Sequence, residues 1–307
     1  MTKKLSATFM IMLTILMSTF SLISVLLSGK ISLPGDKPIS ITALNVDTTQ
    51  TTSKSDRYIP VPSDTFFVLA VGNDYRPGVG GKRADAIHLI GINTKENKAS
   101  IINFPRDTNV QIPGHGKNKI NAANAYGGSA LTAQTIEGLV GIKISYVLEV
   151  DFAGFKGVVN DLGGLDVTVD KPMRDNNSGS NFTPGLVHMN GDQALSFARD
   201  RHSFSNGDIT RTHNQAVLLI AALKEMLATK SGVTNKFESA SFITKNVSLT
   251  NLTLRDIYLL MELAKSINPA EVSNITVPWA GTNTLAASAN DLFADFRDNA
   301  IINTYQG

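Results

Sequence analysis

The chain opens with its longest apolar stretch, LSATFMIMLTILMSTFSLISVLLSG, Leu5 to Gly29, which contains no charged residue. At 1.5 Å rise per residue a helix of this length crosses a hydrocarbon core roughly 30 Å thick. Lys3 and Lys4 precede the stretch, so the positive-inside rule predicts residues 1–4 in the cytoplasm and the remainder outside. A cleaved signal peptide has a shorter apolar region, about 7–15 residues, closed by a small-residue cleavage site. This run is longer and has no such site, so residues 5–29 read as an uncleaved transmembrane signal anchor, with the chain single-pass in the cell membrane. Residues 30–63 lose the apolar pattern to Pro, Ser, Thr and Asp and read as an extended extracytoplasmic tether.

A globular pattern begins at Asp64. FFVLAVG is a short continuous apolar run ending in Gly, the texture of a strand buried on both faces, and AIHLIGIN and KASIINFP repeat it at close spacing. Ala130 to Leu139 and Phe152 to Asp161 carry helical periodicity, whereas YVLEVD and GLDVTVD read as strands. THNQAVLLIAALKEMLATK is a strong helix former, LTLRDIYLLMELAKSI a second amphipathic helix, and SNITVPWA a late strand. No repeat of solenoid length occurs. Strands and helices interleave to the end, which predicts one α/β domain over residues 64–307, a central mixed β-sheet flanked by helices.

Composition narrows the chemistry. With 307 residues, 42% hydrophobic and 18% charged, the chain has enough apolar surface for a sizeable core. A net charge of +2 gives no global attraction to nucleic acid, and Trp279 and the six tyrosines do not interleave with a basic stripe, so no nucleic-acid partner is expected. Cysteine is absent, which removes disulfides, thiolate zinc sites and cysteine nucleophiles. The five histidines show no H-E-x-x-H spacing, and no G-x-S-x-G elbow occurs. They read as structural or surface residues.

Four charged clusters remain. GNDYRPGVGGKRADAI is a Gly-rich link between two strands. It lacks P-loop spacing, but Asp74 and Asp85 flank it and can fold towards one another as hard oxygen ligands for Mg²⁺. Two surface aspartates, one in a turn and one paired with an arginine, would look the same. NFPRDTNV places Arg106 and Asp107 just beyond a buried strand's C-terminal end, where open α/β sheets bind ligands, or where a loop salt bridge would sit. HGKNKINAANAYGG offers Lys119 as an anion ligand ahead of small residues suited to close packing.

The fourth cluster is SFARDRHSFSNGDITRTHNQ, which gathers Arg199, Arg201 and Arg211 within twenty positions. If LSFARDR is extended, Arg199 and Arg201 at i and i+2 share one strand face. On a following helix, Arg211 and Gln215 at i and i+4 share another. Two elements can then aim guanidiniums at one point, and the arginine fork suits phosphate oxygens. A solvated face with Asp200 and Asp208 as partners is the bland alternative.

Taken in order, the N-terminal anchor, GNDYR, KRADAI, NFPRDT, KINAANAYGG, DFAGFKGVVNDLGGLDVTV and ARDR, followed by Arg211 and Gln215, resemble the LytR-CpsA-Psr family from about Phe66 to Leu227. The resemblance implies a membrane-anchored phosphotransferase that moves a glycopolymer, such as teichoic acid or capsule, from a polyprenyl pyrophosphate carrier onto a peptidoglycan hydroxyl. It forms a phosphodiester and releases polyprenyl phosphate, usually with Mg²⁺. It also implies that Asp74 and Asp85 serve the metal, that Arg83, Arg106, Arg199, Arg201, Arg211 and Gln215 surround the pyrophosphate, and that Lys119 lies at the same pocket. Asp74, Asp85, Arg83 and Arg106 are thereby the expected catalytic set. The implied partners are the lipid-linked glycopolymer, peptidoglycan and membrane lipid.

Ala84 and Asn124 depart from common family residues without removing a charged position. The apolar run after Gln215 is a candidate lining for a lipid groove. The same residues are compatible with hydrolysis of the pyrophosphate, or with binding of the lipid-linked glycan without turnover as an envelope regulator.

Overall fold

The computed structural model describes residues 64–74, 83–228, 248–250, 260, 261, 263–281, 283–300 and 302. The expected anchor at 5–29, the tether at 30–63, Lys82 and most of LTLRDIYLLMELAKSI lie outside them. Among the described residues no helix is long and apolar enough to cross a membrane.

Six strands form the central sheet. β1 (Thr65–Asn73) pairs antiparallel with β2 (Ala84–Asn93), and β2 pairs antiparallel with β3 (Lys98–Asn103). β6 (Tyr146–Val150) lies parallel beside β1, β11 (Ser248–Thr250) borders β6, and β12 (Ser273–Thr276) runs parallel to β3. The order is β11-β6-β1-β2-β3-β12, a mixed sheet as the interleaved pattern predicts. The small hairpin β4 (Asn109–Ile112) and β5 (Gly116–Lys119) stands apart from it.

Alternation along β1 explains how the sheet is covered. Phe67, Leu69 and Val71 point into the main core with Ile87, Leu89 and Ile102. There they meet α1 (Asn121–Val140) through Ile136 and Val140, and α5 (Ser288–Asn299) through Leu292, Phe293 and Phe296. The Phe67 and Phe296 rings lie 5.2 Å apart. Phe66 and Val68 face the other side, with Tyr146 and Leu263. Helix α1 is longer than the predicted Ala130 to Leu139, and it is broken where Gly128 adopts φ 65°, a left-handed conformation costly for any other residue.

A second core lies beside the sheet. β7 (Leu165–Val169) and β10 (Gly185–Met189) form a hairpin-like pair, and β8 (Met173–Asp175) pairs with β9 (Ser180–Phe182). Leu165, Val167 and Met189 pack with Val159 of α2 (Phe152–Asp161), Ala194 and Phe197 of α3 (Gly191–Arg199) and Leu218 of α4 (Gly207–Ala228).

One sequence expectation is corrected here. LSFARDR is not extended: Leu195 to Arg199 are the last turns of helix α3. The helix starts at Asn190, whose Oδ1 accepts from Gln193 N at 3.0 Å while Gln193 Oε1 accepts from Asn190 N at 3.0 Å. This reciprocal capping box satisfies two otherwise orphaned amides, and it outweighs the two-residue alternation of arginines that suggested a strand.

Candidate active site

The sheet topology determines where the site lies. β1 and β6 are parallel, and β3 runs in the same sense as β1 because both are antiparallel to β2. Their C-terminal ends therefore point the same way, and Asp74, Arg106 and Asp151 follow them. All three residues line one cavity of about 350 Å³, at the edge where open α/β sheets place ligands. Pairing of Asn73 with Ala84 brings Asp74 and Asp85, which follow them in sequence, to the same rim.

Each guanidinium is positioned by its own element. Arg106 sits in the turn after β3, where Thr108 N and Oγ1 donate to Pro105 O at 2.9 and 2.6 Å, and Trp279 Nε1 donates to Thr108 Oγ1 at 3.1 Å. Its Nη1 donates to Asp85 Oδ1 at 2.6 Å. Burial opposes its charge, but Asp85, with Asp208 and Asp107 beyond, holds the pKa above the ordinary arginine value.

Arg199 ends α3, with its guanidinium carbon 5.2 Å from the Phe152 ring centroid. The chain then leaves the helix at Asp200, which is fully buried and accepts from Ser180 Oγ, from Ser203 Oγ at 2.8 Å and from Ser203 N at 3.1 Å. This network sets the backbone of Arg201.

Helix α4 supplies Arg211 and Gln215, on one face as their spacing predicts. Arg211 Nη2 and Gln215 Nε2 approach Asp85 O at 3.4 and 3.5 Å, and Gln215 Nε2 donates to Ala198 O at 3.2 Å. Burial lowers the Arg211 pKa, partly opposed by Asp208, yet an arginine so shifted remains charged at neutral pH.

Asp208 joins the set from the first turn of α4. Its Oδ1 lies 2.9 Å from Arg211 Nη2, 3.5 Å from Arg201 Nε and 3.7 Å from Arg106 Nε. These are ion pairs without hydrogen-bond geometry. Arg106 Nε, Arg201 Nε, Arg211 Nε, Gln215 Oε1 and both Asp208 oxygens are buried and make no hydrogen bond. Buried donors are normally satisfied, and these three guanidinium nitrogens, two of them facing Asp208 without hydrogen-bond geometry, form an arrangement that a multi-oxygen anion would complete.

The same cavity is lined by the apolar residues Val150, Phe152, Phe155, Leu195, Leu218 and Leu219. Leu218 and Leu219 come from the run after Gln215, where Leu218, like Ala216 and Ala221, is also buried in the protein.

Asp74, Asp85, Arg106, Arg199, Arg201, Arg211 and Gln215 thus line one cavity, and Arg83 and Lys119 are not among its lining residues. Arg83 is exposed. Lys119 Nζ pairs instead with Asp107 Oδ1 at 3.0 Å. Asp208 went unassigned in the sequence, where it read only as a possible salt-bridge partner. Its spacing three residues before Arg211, at a helix start, was the available signal.

No cluster of three or more His, Cys, Asp or Glu suited to a metal occurs among the described residues. Asp74 and Asp85 nevertheless fit Mg²⁺ in type, since that ion is commonly held by one or two carboxylates with substrate phosphates completing its shell.

The LytR_cpsA_psr family model matches residues 39–299. A polyisoprenyl-teichoic acid–peptidoglycan teichoic acid transferase, TagU of Bacillus cereus, is 38% identical over 192 residues, 62% of this chain and 62% of the relative. The match therefore spans less than two thirds of that protein's length. Among solved structures, B. subtilis TagV superposes with a TM-score of 0.65 at 28% identity, covering 76% of this chain and 95% of that one. TagT bound to LI-WTA gives 0.62 at 28% identity, covering 78% and 92%.

Proposed function

The chain belongs to the LytR-CpsA-Psr family, and on that premise we propose that it is a phosphotransferase moving a glycopolymer from a polyprenyl pyrophosphate carrier onto a peptidoglycan hydroxyl. One observation carries this reading: Arg106, Arg201 and Arg211, each with a buried Nε that makes no hydrogen bond, line the same cavity as Phe152, Phe155, Leu195 and Leu219. An anion with several oxygens attached to a long hydrocarbon matches both halves. A teichoic acid, as named for the TagU relative, is the glycopolymer class we favour.

In this account Arg106, Arg201 and Arg211 hold the non-bridging oxygens, where charge accumulates in a phosphoryl-transfer transition state. Gln215, tied to the Ala198 carbonyl, fixes the edge of the clamp, and Arg199 stands at the boundary with the apolar wall. Phe152, Phe155, Leu195, Leu218 and Leu219 take the first isoprene units. Asp74 and Asp85 would hold Mg²⁺, which when bound neutralises phosphate charge. Arg83 and Lys119 receive no pyrophosphate contact in this account. We place the domain outside the cell membrane on the 30–63 tether, anchored by residues 5–29, within reach of both lipid carrier and wall.

The test is to incubate the protein with a polyprenyl pyrophosphate-linked glycan, Mg²⁺ and peptidoglycan oligomers, and to seek the phosphodiester-linked product by mass spectrometry. Product that disappears in Arg201→Ala supports transfer. Glycan phosphate formed without any oligomer adduct replaces it with hydrolysis, and tight binding without turnover replaces it with a binding role.

A further inference from the structure

Sequence spacing gives His202 no role, yet it lines the same cavity as Asp85, Arg106 and Arg201. Its Nδ1 lies 3.0 Å from Asp175 Oδ2. Asp175 is buried, at 4% exposure, at the end of β8. Burial works against its ionisation, but bonds from His202 and from the backbone N–H of Asn177, Arg201 and His202 hold the carboxyl well below the usual range. An ionised carboxylate can only accept, so His202 Nδ1 donates to Asp175 and Nε2 is the ring nitrogen turned away from it. Asn177 Nδ2, at 3.5 Å from Nδ1, is too distant to compete. No described residue is hydrogen-bonded to Nε2, and the side chain is 62% exposed.

The dyad is rigidly mounted. His202 is bracketed by Asp200 and Ser203, which bond to one another; Asp200 also accepts from Ser180 Oγ, and Ser203 Oγ accepts from Arg174 N at 2.7 Å. Asp175 Oδ2 also accepts from Arg201 N at 3.3 Å. One carboxylate therefore sets both the imidazole and the backbone of a phosphate-clamping arginine, in a fixed relation to each other.

The other carboxylates that line the cavity, Asp74 aside as a candidate Mg²⁺ ligand, are engaged elsewhere. Asp85 Oδ1 accepts from Arg106 Nη1 at 2.6 Å, and Asp151 Oδ1 accepts from Gly154 N at 2.8 Å as the cap of α2. His88 is buried at 3% exposure, with Nδ1 against Asn103 Oδ1 at 2.7 Å. An incoming sugar cannot reach it.

We infer that His202 is the general base for the acceptor hydroxyl, with Asp175 as its positioning residue; this rests on the phosphotransferase reading above. The hydroxyl oxygen bonds to the glycan-bearing phosphorus as its proton passes to His202 Nε2. The bond from that phosphorus to the bridging oxygen breaks, and its electron pair leaves on polyprenyl phosphate. The imidazolium is held by Asp175 and returns its proton to water through its exposed edge.

The test compares wild type with His202→Gln, His202→Ala and Asp175→Asn, following polyprenyl phosphate release in the presence of peptidoglycan oligomers. Binding of geranylgeranyl pyrophosphate is measured alongside. The expected result for His202→Gln is a kcat lowered roughly 10²–10⁴-fold, the span of general acid–base catalysis, with pyrophosphate affinity unchanged. Added imidazole restores turnover in His202→Ala and not in Asp175→Asn, whose loss is in kcat rather than KM. Wild-type turnover in His202→Gln, or loss explained wholly by weaker pyrophosphate binding, overturns the assignment. Release by wild type with no oligomer-linked product would remove the transfer reading, while the same release rates still decide whether His202 is the base.

Discussion

Asp208 Oδ1 stands 2.9 Å from Arg211 Nη2, three residues along the same helix, and within ion-pair reach of Arg106 and Arg201 as well. Three guanidiniums that would otherwise repel one another are held around one carboxylate. Asp208→Asn should therefore destabilise the protein, by about 1–3 kcal/mol, below the range for breaking a fully buried pair because the side chain keeps 13% exposure. Inorganic pyrophosphate should raise the melting temperature of the variant more than that of wild type, since the anion replaces the lost charge. Calorimetry with and without pyrophosphate checks this, and an unchanged variant melting point would count against the hub.

Gly207 opens α4 against the backbone of Arg201, and a Cβ there would collide with the Arg201 carbonyl oxygen. Gly207→Ala should displace Arg201 and lower kcat/KM on the order of 10²-fold, the cost of a misplacement near 1 Å. Gly138→Ala, in helix α1 where a Cβ meets nothing within 4 Å, should leave the kinetics intact and stabilise the helix by about 0.5–1 kcal/mol. Steady-state kinetics on the two variants separates the cases.

His88 ties stability to pH. Burial pushes its pKa down to about 4 from the ordinary 6.5, with the Asn103 and Gln215 contacts opposing and Arg211 reinforcing. Above pH 6.5 it is neutral folded or unfolded and contributes nothing to the pH dependence. As pH falls towards 4, the unfolded chain takes up the proton first, and stability is lost by roughly 3 kcal/mol at about 1.4 kcal/mol per pKa unit. Urea denaturation between pH 7 and 4 should show this loss in wild type and a smaller one in His88→Gln.

The apolar wall should read lipid length. Phe155→Ala and Leu219→Ala each remove part of it, and each should weaken a long-chain polyprenyl pyrophosphate by about 1 kcal/mol, less than the 1.5–3 kcal/mol of a fully buried side chain. Inorganic pyrophosphate should bind both variants as it binds wild type. Titration calorimetry with the two ligands checks the split.

Much of the fold was legible because its signals are local. Continuous apolar runs marked β1, β2 and β3, SNITVPWA read as the late strand that contains β12, and the periodicity over Phe152 to Asp161 gave α2 without correction. LSFARDR was misread because two arginines at i and i+2 imitate a strand face, while the signal that decides it, Asn190 with Gln193, lies upstream. The site was legible where charge is concentrated in sequence. It was not where function depends on residues far apart: Asp208 meets Arg106 across the fold, and Asp175 meets His202 from 27 positions away. Arg83 and Lys119 carry the right charge in the right order, yet order alone did not bring them to the cavity wall, since Lys119 is drawn to Asp107 on the neighbouring strand connection.

The central claim, transfer onto a sugar hydroxyl at the arginine-lined cavity, is tested most directly by running the reaction in ¹⁸O-labelled water and weighing the phosphorus-containing products. The account predicts an oligomer-linked phosphodiester free of ¹⁸O, formed together with unlabelled polyprenyl phosphate and lost in Arg106→Ala. Glycan phosphate carrying one ¹⁸O, with no oligomer-linked product, would contradict it.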